Sequence, residues 1–196
     1  FKLVLFRSPV TVTLLHNVNS TCNLTLAPIT YDCSTDGRNA VSFDGSDDTV
    51  DCGNATSVQI TGNTITLEAW IYPTAWQANS YAGSIINKEG GNTGYMLRCG
   101  NNGQLSFNIG DGSAFHELLS PSGTLALNTW QHVAGTYDGT TERLFLNGVQ
   151  IMSSTGTFNV GNDTYALEIG SSADYPTRTF YGKSDEVRIW NKALAA

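Results

Sequence analysis

TWQHVAGTYDGTTERLFLNGVQI, residues 129–151, reads as two strands around Asp138-Gly139 followed by a tight hairpin at Asn147-Gly148. In the first strand Trp130, His132, Ala134 and Thr136 share one face, and Gln131, Val133, Gly135 and Tyr137 the other. In the second, Leu144 and Leu146 alternate with Arg143, Phe145 and Asn147. Asn-Gly accepts positive φ at both central positions of a two-residue type I′ turn. The turn therefore sets the register, and the two-residue period sets which face is buried. This pairing of alternation with turn chemistry points to an antiparallel, all-β chain.

The same pattern extends outward in both directions. Candidate strands lie at 40–44, 48–52, 57–61, 64–73, 83–88, 93–99, 104–109, 114–119, 130–137, 142–147, 149–154, 165–170 and 182–190. Asn101-Asn102-Gly103 and Asp111-Gly112 mark turns between them. Strands spaced this way predict a sandwich of two antiparallel sheets, with at most one helical turn near Asn191–Leu194. Residues 1–39 form a separate N-terminal extension with a candidate strand at 8–15 and a turn-rich stretch after it; 40–196 form the main domain. The extension reads either as an added edge strand or as an arm that pairs with a neighbour.

Five segments taken in order, VSFDGSDDTVDCG (41–53), ITLEAWIYP (65–73), the 129–151 stretch, LEIGSS (167–172) and FYGKSDEVRIWNKAL (180–194), resemble the LamG-like, concanavalin A-like jelly-roll family, which includes laminin G and pentraxin-type modules. The resemblance covers residues 40–194 and implies a non-catalytic extracellular recognition or adhesion module that binds glycan or protein. It also implies a calcium ion, with Asp44, the Gly45 carbonyl, Asp48 and Asp185 as the matching ligands. The residues themselves support a cation independently: carboxylates at 44, 47, 48 and 51 crowd one Gly-containing turn, and calcium takes six to eight oxygens in flexible geometry. The alternative reading is a structural subunit of an extracellular filament or sheath, self-assembled through the N-terminal strand.

Composition narrows the partners. The net charge is −7, and charged residues make up only 14% of the chain with no Lys/Arg cluster, which excludes nucleic acid as a natural partner. No apolar run reaches membrane-spanning length. The opening FKLVLFRSPVTVTLL is interrupted by Arg7 and Pro9, so the chain is expected to be a mature form or an excised piece. The four cysteines, Cys22, Cys33, Cys52 and Cys99, allow three pairings. Cys22–Cys33 and Cys52–Cys99 are the expected bridges, in an oxidising compartment. Sequons at Asn19, Asn23, Asn54 and Asn162 agree with a secreted or cell-surface protein.

Catalytic chemistry is poorly represented. Glycoside hydrolysis needs two carboxylates at a set separation, and the Glu-x-Asp-x-x-Glu run of the glucanase relatives is absent. Glu68 is a lone acid on a strand, and His132 is expected to be a buried, hydrogen-bonded structural residue. Sugar contacts are better served by aromatic residues in loops: Trp76 and Tyr81 in PTAWQANSYAG, and Tyr175 and Tyr181 in SADYPTRTFYG. Trp70, Trp130 and Trp190 fall in strands and are expected in the core.

Overall fold

The computed structural model describes residues 3–4, 23–26, 29–33, 39–60 and 62–195. The strands are β1 (Leu3–Val4), β2 (Asn23–Leu26), β3 (Ile29–Cys33), β4 (Asn39–Asp44), β5 (Val50–Asp51), β6 (Ile65–Pro73), β7 (Ser84–Gly90), β8 (Thr93–Cys99), β9 (Leu105–Asp111), β10 (Phe115–Leu119), β11 (Gln131–Tyr137), β12 (Thr141–Leu146), β13 (Val149–Thr155), β14 (Glu168–Ile169) and β15 (Tyr181–Trp190). A large sheet runs β13-β12-β11-β6-β15-β4-β3-β2, with β1 added on β15. A smaller sheet runs β10-β9-β8-β7-β14-β5. Every pairing is antiparallel, so the predicted two-sheet jelly roll is the architecture found. The described strands of the N-terminal segment pair within the chain, β1 with β15 and β3 with β4. The candidate strand at 8–15 lies outside the described residues.

The register follows from the opening stretch. Asn147 and Gly148 have φ of 51° and 79°, the left-handed values that a two-residue hairpin needs. Val133 pairs with Leu146 and with Ala69, which places β11 between β12 and β6. From there the odd-numbered residues of β6 (Ile65, Leu67, Ala69, Ile71) are fully buried and face Tyr95, Leu97, Phe107 and Ile109 of the small sheet. Gly135 is a close-approach point: a Cβ there would sit 2.4 Å from the Phe107 ring. One end of the sandwich is closed by a ring stack. Phe158 lies between His116 of the small sheet (3.7 Å) and Tyr137 of the large one (4.2 Å).

Three expectations are corrected. The described part of the candidate strand at 57–61, residues 57–60, is not a strand; Thr56–Val58 is a 3-10 turn, because Val58 N–H donates to the Ala55 carbonyl and the Val58 carbonyl accepts from the Tyr95 hydroxyl at 2.8 Å. Trp70 and Trp130 are not core residues but 37% and 38% exposed. The same alternation that buries Leu67, Ala69 and Ile71 turns Trp70 outward. The Cys52–Cys99 bridge is absent; both are free thiols. Cys52 follows β5 and Cys99 ends β8, with β14 and β7 between those strands. Three strand spacings of about 4.8 Å exceed the ~7 Å Cα limit of a disulfide. Burial instead pushes each thiol up to about 12. The Cys22–Cys33 pair falls outside the described side chains.

Candidate functional site

On the small sheet the core-facing residues alternate with a polar row. Tyr95, Leu97, Phe107 and Ile109 point inward, so Arg98, Ser106 and Asn108 point out, and Asn87 and Glu89 join them from β7 through their pairing with Met96 and Gly94. An outward face of this kind is normally wet, yet Asn87, Glu89, Arg98, Ser106 and Asn108 are all buried. Two loops close over the row, residues 74–83 before β7 and 170–180 before β15. Gln77 Nε2 ties them together by donating to the Thr179 carbonyl (3.0 Å) and hydroxyl (2.7 Å).

Glu89 is the centre of this row. Its Oε1 accepts from Arg178 (2.6 Å), Asn87 Nδ2 (3.0 Å) and the Ser172 hydroxyl (3.1 Å). Charge-assisted donors of this kind are what make a buried carboxylate tolerable. The Arg178 guanidinium lies over the Tyr175 ring at 3.8 Å and the Tyr81 ring at 5.2 Å. Both rings keep an outer face free, Tyr81 at 50% and Tyr175 at 42% exposure. Beneath Tyr81, Arg98 donates to its carbonyl (3.1 Å) and to Glu117 (3.3 Å). Asn108, with its amide turned to satisfy both neighbours, accepts from Arg98 (2.7 Å) and donates to the His116 carbonyl (3.0 Å). The result is a rigid polar floor with two aromatic faces at its rim.

Of the four loop aromatics expected to meet a ligand, the structure brings two together. Tyr81 and Tyr175 flank Arg178, whereas Trp76 turns inward and packs, half-buried, against the core. Tyr181 pairs with Asp44 across β15 and β4, and its ring occupies the space beside Gly45, where a Cβ would lie 2.2 Å away. Reading the sequence missed Arg178 and Glu89. A usable signal was the charged pair Lys88-Glu89 in SIINKEG, two adjacent charges on a candidate strand, one of which must face each side.

The acidic turn after β4 holds Asp44, Asp47 and Asp48 with carboxylate oxygens within 4.8 Å of one another. Asp48 is buried; desolvation raises its carboxyl above the ordinary range, the Asp44 backbone N–H opposes that, and the charges of Asp44 and Asp47 add to it. Three crowded hard oxygens of this kind suit calcium. Two of the ligands implied by resemblance do not join them. The Gly45 carbonyl already accepts from Gln77 (3.2 Å) and Thr179 (2.5 Å). Asp185 stands four residues along β15 from Tyr181, the partner of Asp44, which is about 13 Å of strand at ~3.3 Å per residue.

Glu68 faces the opposite side of the molecule, on the outward face of the large sheet. It accepts from Trp190 Nε1 (2.9 Å) and meets His132 Nε2 at 3.2 Å and Arg188 at 3.7 Å. These donors, His132 foremost, hold its carboxyl below the usual range. His132 is thus hydrogen-bonded but half-buried on the outward face rather than buried in the core, because it pairs with the outward-facing Trp70, and Glu186 on β15 is itself paired with Arg188.

Residues 44–196 match Laminin_G_3, the family described as the concanavalin A-like lectin/glucanases superfamily. No curated protein matched the chain. Among solved structures, domain 4 of AbnA, a GH43 extracellular arabinanase from Geobacillus stearothermophilus in complex with arabinotriose, is similar at a TM-score of 0.65 and 18% identity, over 85% of this chain and 77% of that one. The binding domain of Paraclostridial Mosquitocidal Protein 1 is similar at a TM-score of 0.68 and 14% identity, over 89% of this chain but 45% of that one. The CBM40 of the Ruminococcus gnavus IT-sialidase, bound to α2,3-sialyllactose, is similar at 0.58 and 18%, over 80% and 91%. These structures share the fold; two of them hold a bound sugar and the other is a binding domain. With the family match spanning most of its length, the chain belongs to the concanavalin A-like lectin/glucanases superfamily.

Proposed function

We propose that this protein is a non-catalytic, extracellular glycan-binding module whose ligand sits on the Tyr81–Arg178–Tyr175 rim of the small sheet. The observation that carries the reading is the placement of Arg178 between two exposed tyrosine rings, above a buried and hydrogen-bonded polar row. Aromatic faces stack on sugar C–H faces, and fixed amide, carboxylate and guanidinium groups orient hydroxyls. The arabinotriose and sialyllactose complexes of similar domains support the same ligand class. Hydrolysis is disfavoured because Glu68 faces three donors on the other sheet rather than a second free carboxylate.

Calcium, in this reading, is held by Asp44, Asp47 and Asp48 and stiffens the turn against which Tyr181 packs. Within the N-terminal segment, the pairing of β1 and β3 with their own chain favours an added edge over an arm lent to a neighbour. The test is a glycan array that includes arabinotriose and α2,3-sialyllactose, followed by titration calorimetry. Tyr175→Ala and Arg178→Ala should each weaken the strongest binder at least tenfold. Binding unaffected by both variants, or release of new reducing ends from the bound glycan, would overturn the reading.

A further inference from the structure

The Gly45 carbonyl, on the acidic turn after β4, is the meeting point of three segments far apart in the chain. It accepts from Gln77 Nε2 of the 74–83 loop at 3.2 Å and from the Thr179 hydroxyl of the 170–180 loop at 2.5 Å. A carbonyl oxygen has two lone pairs, and these two donors engage both. The Thr179 hydroxyl donates to Gly45 and accepts from Gln77, so the three groups close a triangle. Thr179 is buried and Gln77 half-buried, which strengthens bonds that open water would weaken. The two loops are otherwise fixed at their ends. Thr74 N–H donates to the Tyr181 carbonyl (3.1 Å), Ser84 N–H to the Arg178 carbonyl (3.1 Å) and Phe180 N–H to the Gly170 carbonyl (2.8 Å). Between those ends, the hydrogen bonds that cross from one loop to the other among the described residues come from the Gln77 amide.

We infer that Gln77 is a positioning residue of the rim: its amide joins the Gly45 turn and both loops into one rigid unit and thereby sets the spacing of Tyr81 and Tyr175 about Arg178. The functional consequence rests on the reading of the rim as a binding site; the mechanics rest on the triangle alone. Thr179 adjoins Arg178, and Arg178 N–H donates to the Tyr175 carbonyl at 2.9 Å, so a shift at the triangle is carried to one ring. Gln77 shares its loop with Tyr81, so the same shift reaches the other. Glu89 and Ser84 tie Arg178 to β7 and leave the distance between the loops open. Without the Gln77 amide the Thr179 carbonyl loses that donor and Gly45 keeps the Thr179 hydroxyl alone, so opening of the loops becomes cheaper. The position requires a donor of this length, because every partner of Nε2 is an accepting oxygen. An ionised carboxylate of the same shape offers acceptors only.

The test is native-state hydrogen exchange on the intact protein, with Gln77→Leu and Gln77→Glu each compared with wild type at the same pH. At pH 7.5 both variants should exchange the Arg178 and Ala82 amides, one in each loop, at least tenfold faster and by similar factors, while amides of β8 and β9 stay within twofold. A glutamate titrates near pH 4.3 in water and higher among accepting oxygens, so at pH 4.5 it carries a proton that it can donate. Gln77→Glu should then return to within threefold of wild type, and Gln77→Leu should not. A side chain that only fills space gives no such pH profile. Thermal melts establish that each variant is folded, and Thr179→Val, which removes the hydroxyl at similar volume, replaces Gln77→Leu if that variant is not. Three results overturn the inference: neither loop loosens; one loosens without the other; or Gln77→Glu matches Gln77→Leu at both pH values. Calorimetry with arabinotriose and α2,3-sialyllactose supplies the binding arm, in which Gln77→Leu should weaken the wild-type affinity at least fivefold; an affinity within twofold of wild type also overturns the positioning role. A wild type that binds neither sugar counts against the rim as their site, and the exchange data still decide the triangle.

Discussion

Replacing Glu142 by Gln should stabilise the protein at alkaline pH and not at acid pH. Glu142 stands two residues before Leu144 on β12 and shares its inward face. It pairs with Tyr137, is 4% exposed, and its Oε1 has no hydrogen-bond partner among the described residues. Burial alone pushes its carboxyl from 4.5 up to about 7. A folded-state value above the unfolded one means that the folded protein binds the proton more tightly. The stability contributed by this group is therefore fully present below about pH 4.5 and is lost as pH rises through about 7. At about 1.4 kcal/mol per pH unit, the interval between the two values caps the loss at about 3 kcal/mol. Water reaching the end of the strand and local relaxation should reduce it to about 1–2 kcal/mol. Glutamine keeps the shape and cannot ionise. Urea denaturation followed by tryptophan fluorescence at pH 5, 6, 7 and 8 should show the variant gaining on the wild type by that amount across the series, or about 2–8 °C in Tm at pH 8. The comparison is a difference between two proteins, so the other shifted carboxylates, Asp48 and Glu168 upward and Glu68, Asp111 and Asp138 downward, cancel. A wild-type-to-variant gap that does not change with pH would refute the reasoning, whatever its absolute size.

Gly135→Ala should destabilise by about 1–3 kcal/mol, read by the same urea series, because the new methyl meets the Phe107 ring, which core packing holds in place. Chelation with EDTA should lower the melting temperature by several degrees if calcium occupies the acidic turn, and Asp48→Asn should remove that response; a wild type indifferent to EDTA rejects the site. In a eukaryotic secretory host, Asn54→Gln and Asn162→Gln should each remove one glycan by mass, since both residues are exposed; an unchanged mass in either variant rejects that sequon. Cys52 and Cys99 should resist a thiol reagent in the native state and react once denatured, and a 52–99 peptide bridge in the mass spectrum would contradict the structure.

Most of the fold could be read from local pattern, for reasons that residues 129–151 make plain. Where one sheet face is buried and the other is not, alternation identifies the strand, and an Asn-Gly step identifies the turn that pairs it. Reading failed where backbone groups leave the ladder. Val58 and Ile60 look like strand positions, yet the Val58 carbonyl is taken by the Tyr95 hydroxyl, a partner 37 residues away. It failed again at the tryptophans, because size and hydrophobicity argue for burial while period-2 geometry alone decides the side. Trp70 follows Ala69, which is fully buried, and so must face out. The cysteines misled for a related reason. An even count says nothing of sheet order, and β5 reaches the small sheet only through β14, a two-residue strand from far along the chain.

The candidate rim was less legible because its parts meet only after both sheets have formed. Tyr81 and Tyr175 could be proposed one by one as loop aromatics, but nothing local indicates that Arg178 reaches Glu89, 89 residues earlier, or that Gln77 fastens the two loops to each other. The chemistry of that meeting is what supports the proposed site. A buried Glu–Arg pair adds little net stability compared with apolar residues of the same volume, because desolvating two charges offsets most of their attraction. Here the pair also engages Asn87 and Ser172, and it holds the guanidinium between two rings that remain half open to water. A pair serving stability alone would have no need of exposed aromatic faces. One that must present a fixed cation and two flat surfaces to a ligand needs all of these groups at once, and the small-sheet rim supplies them.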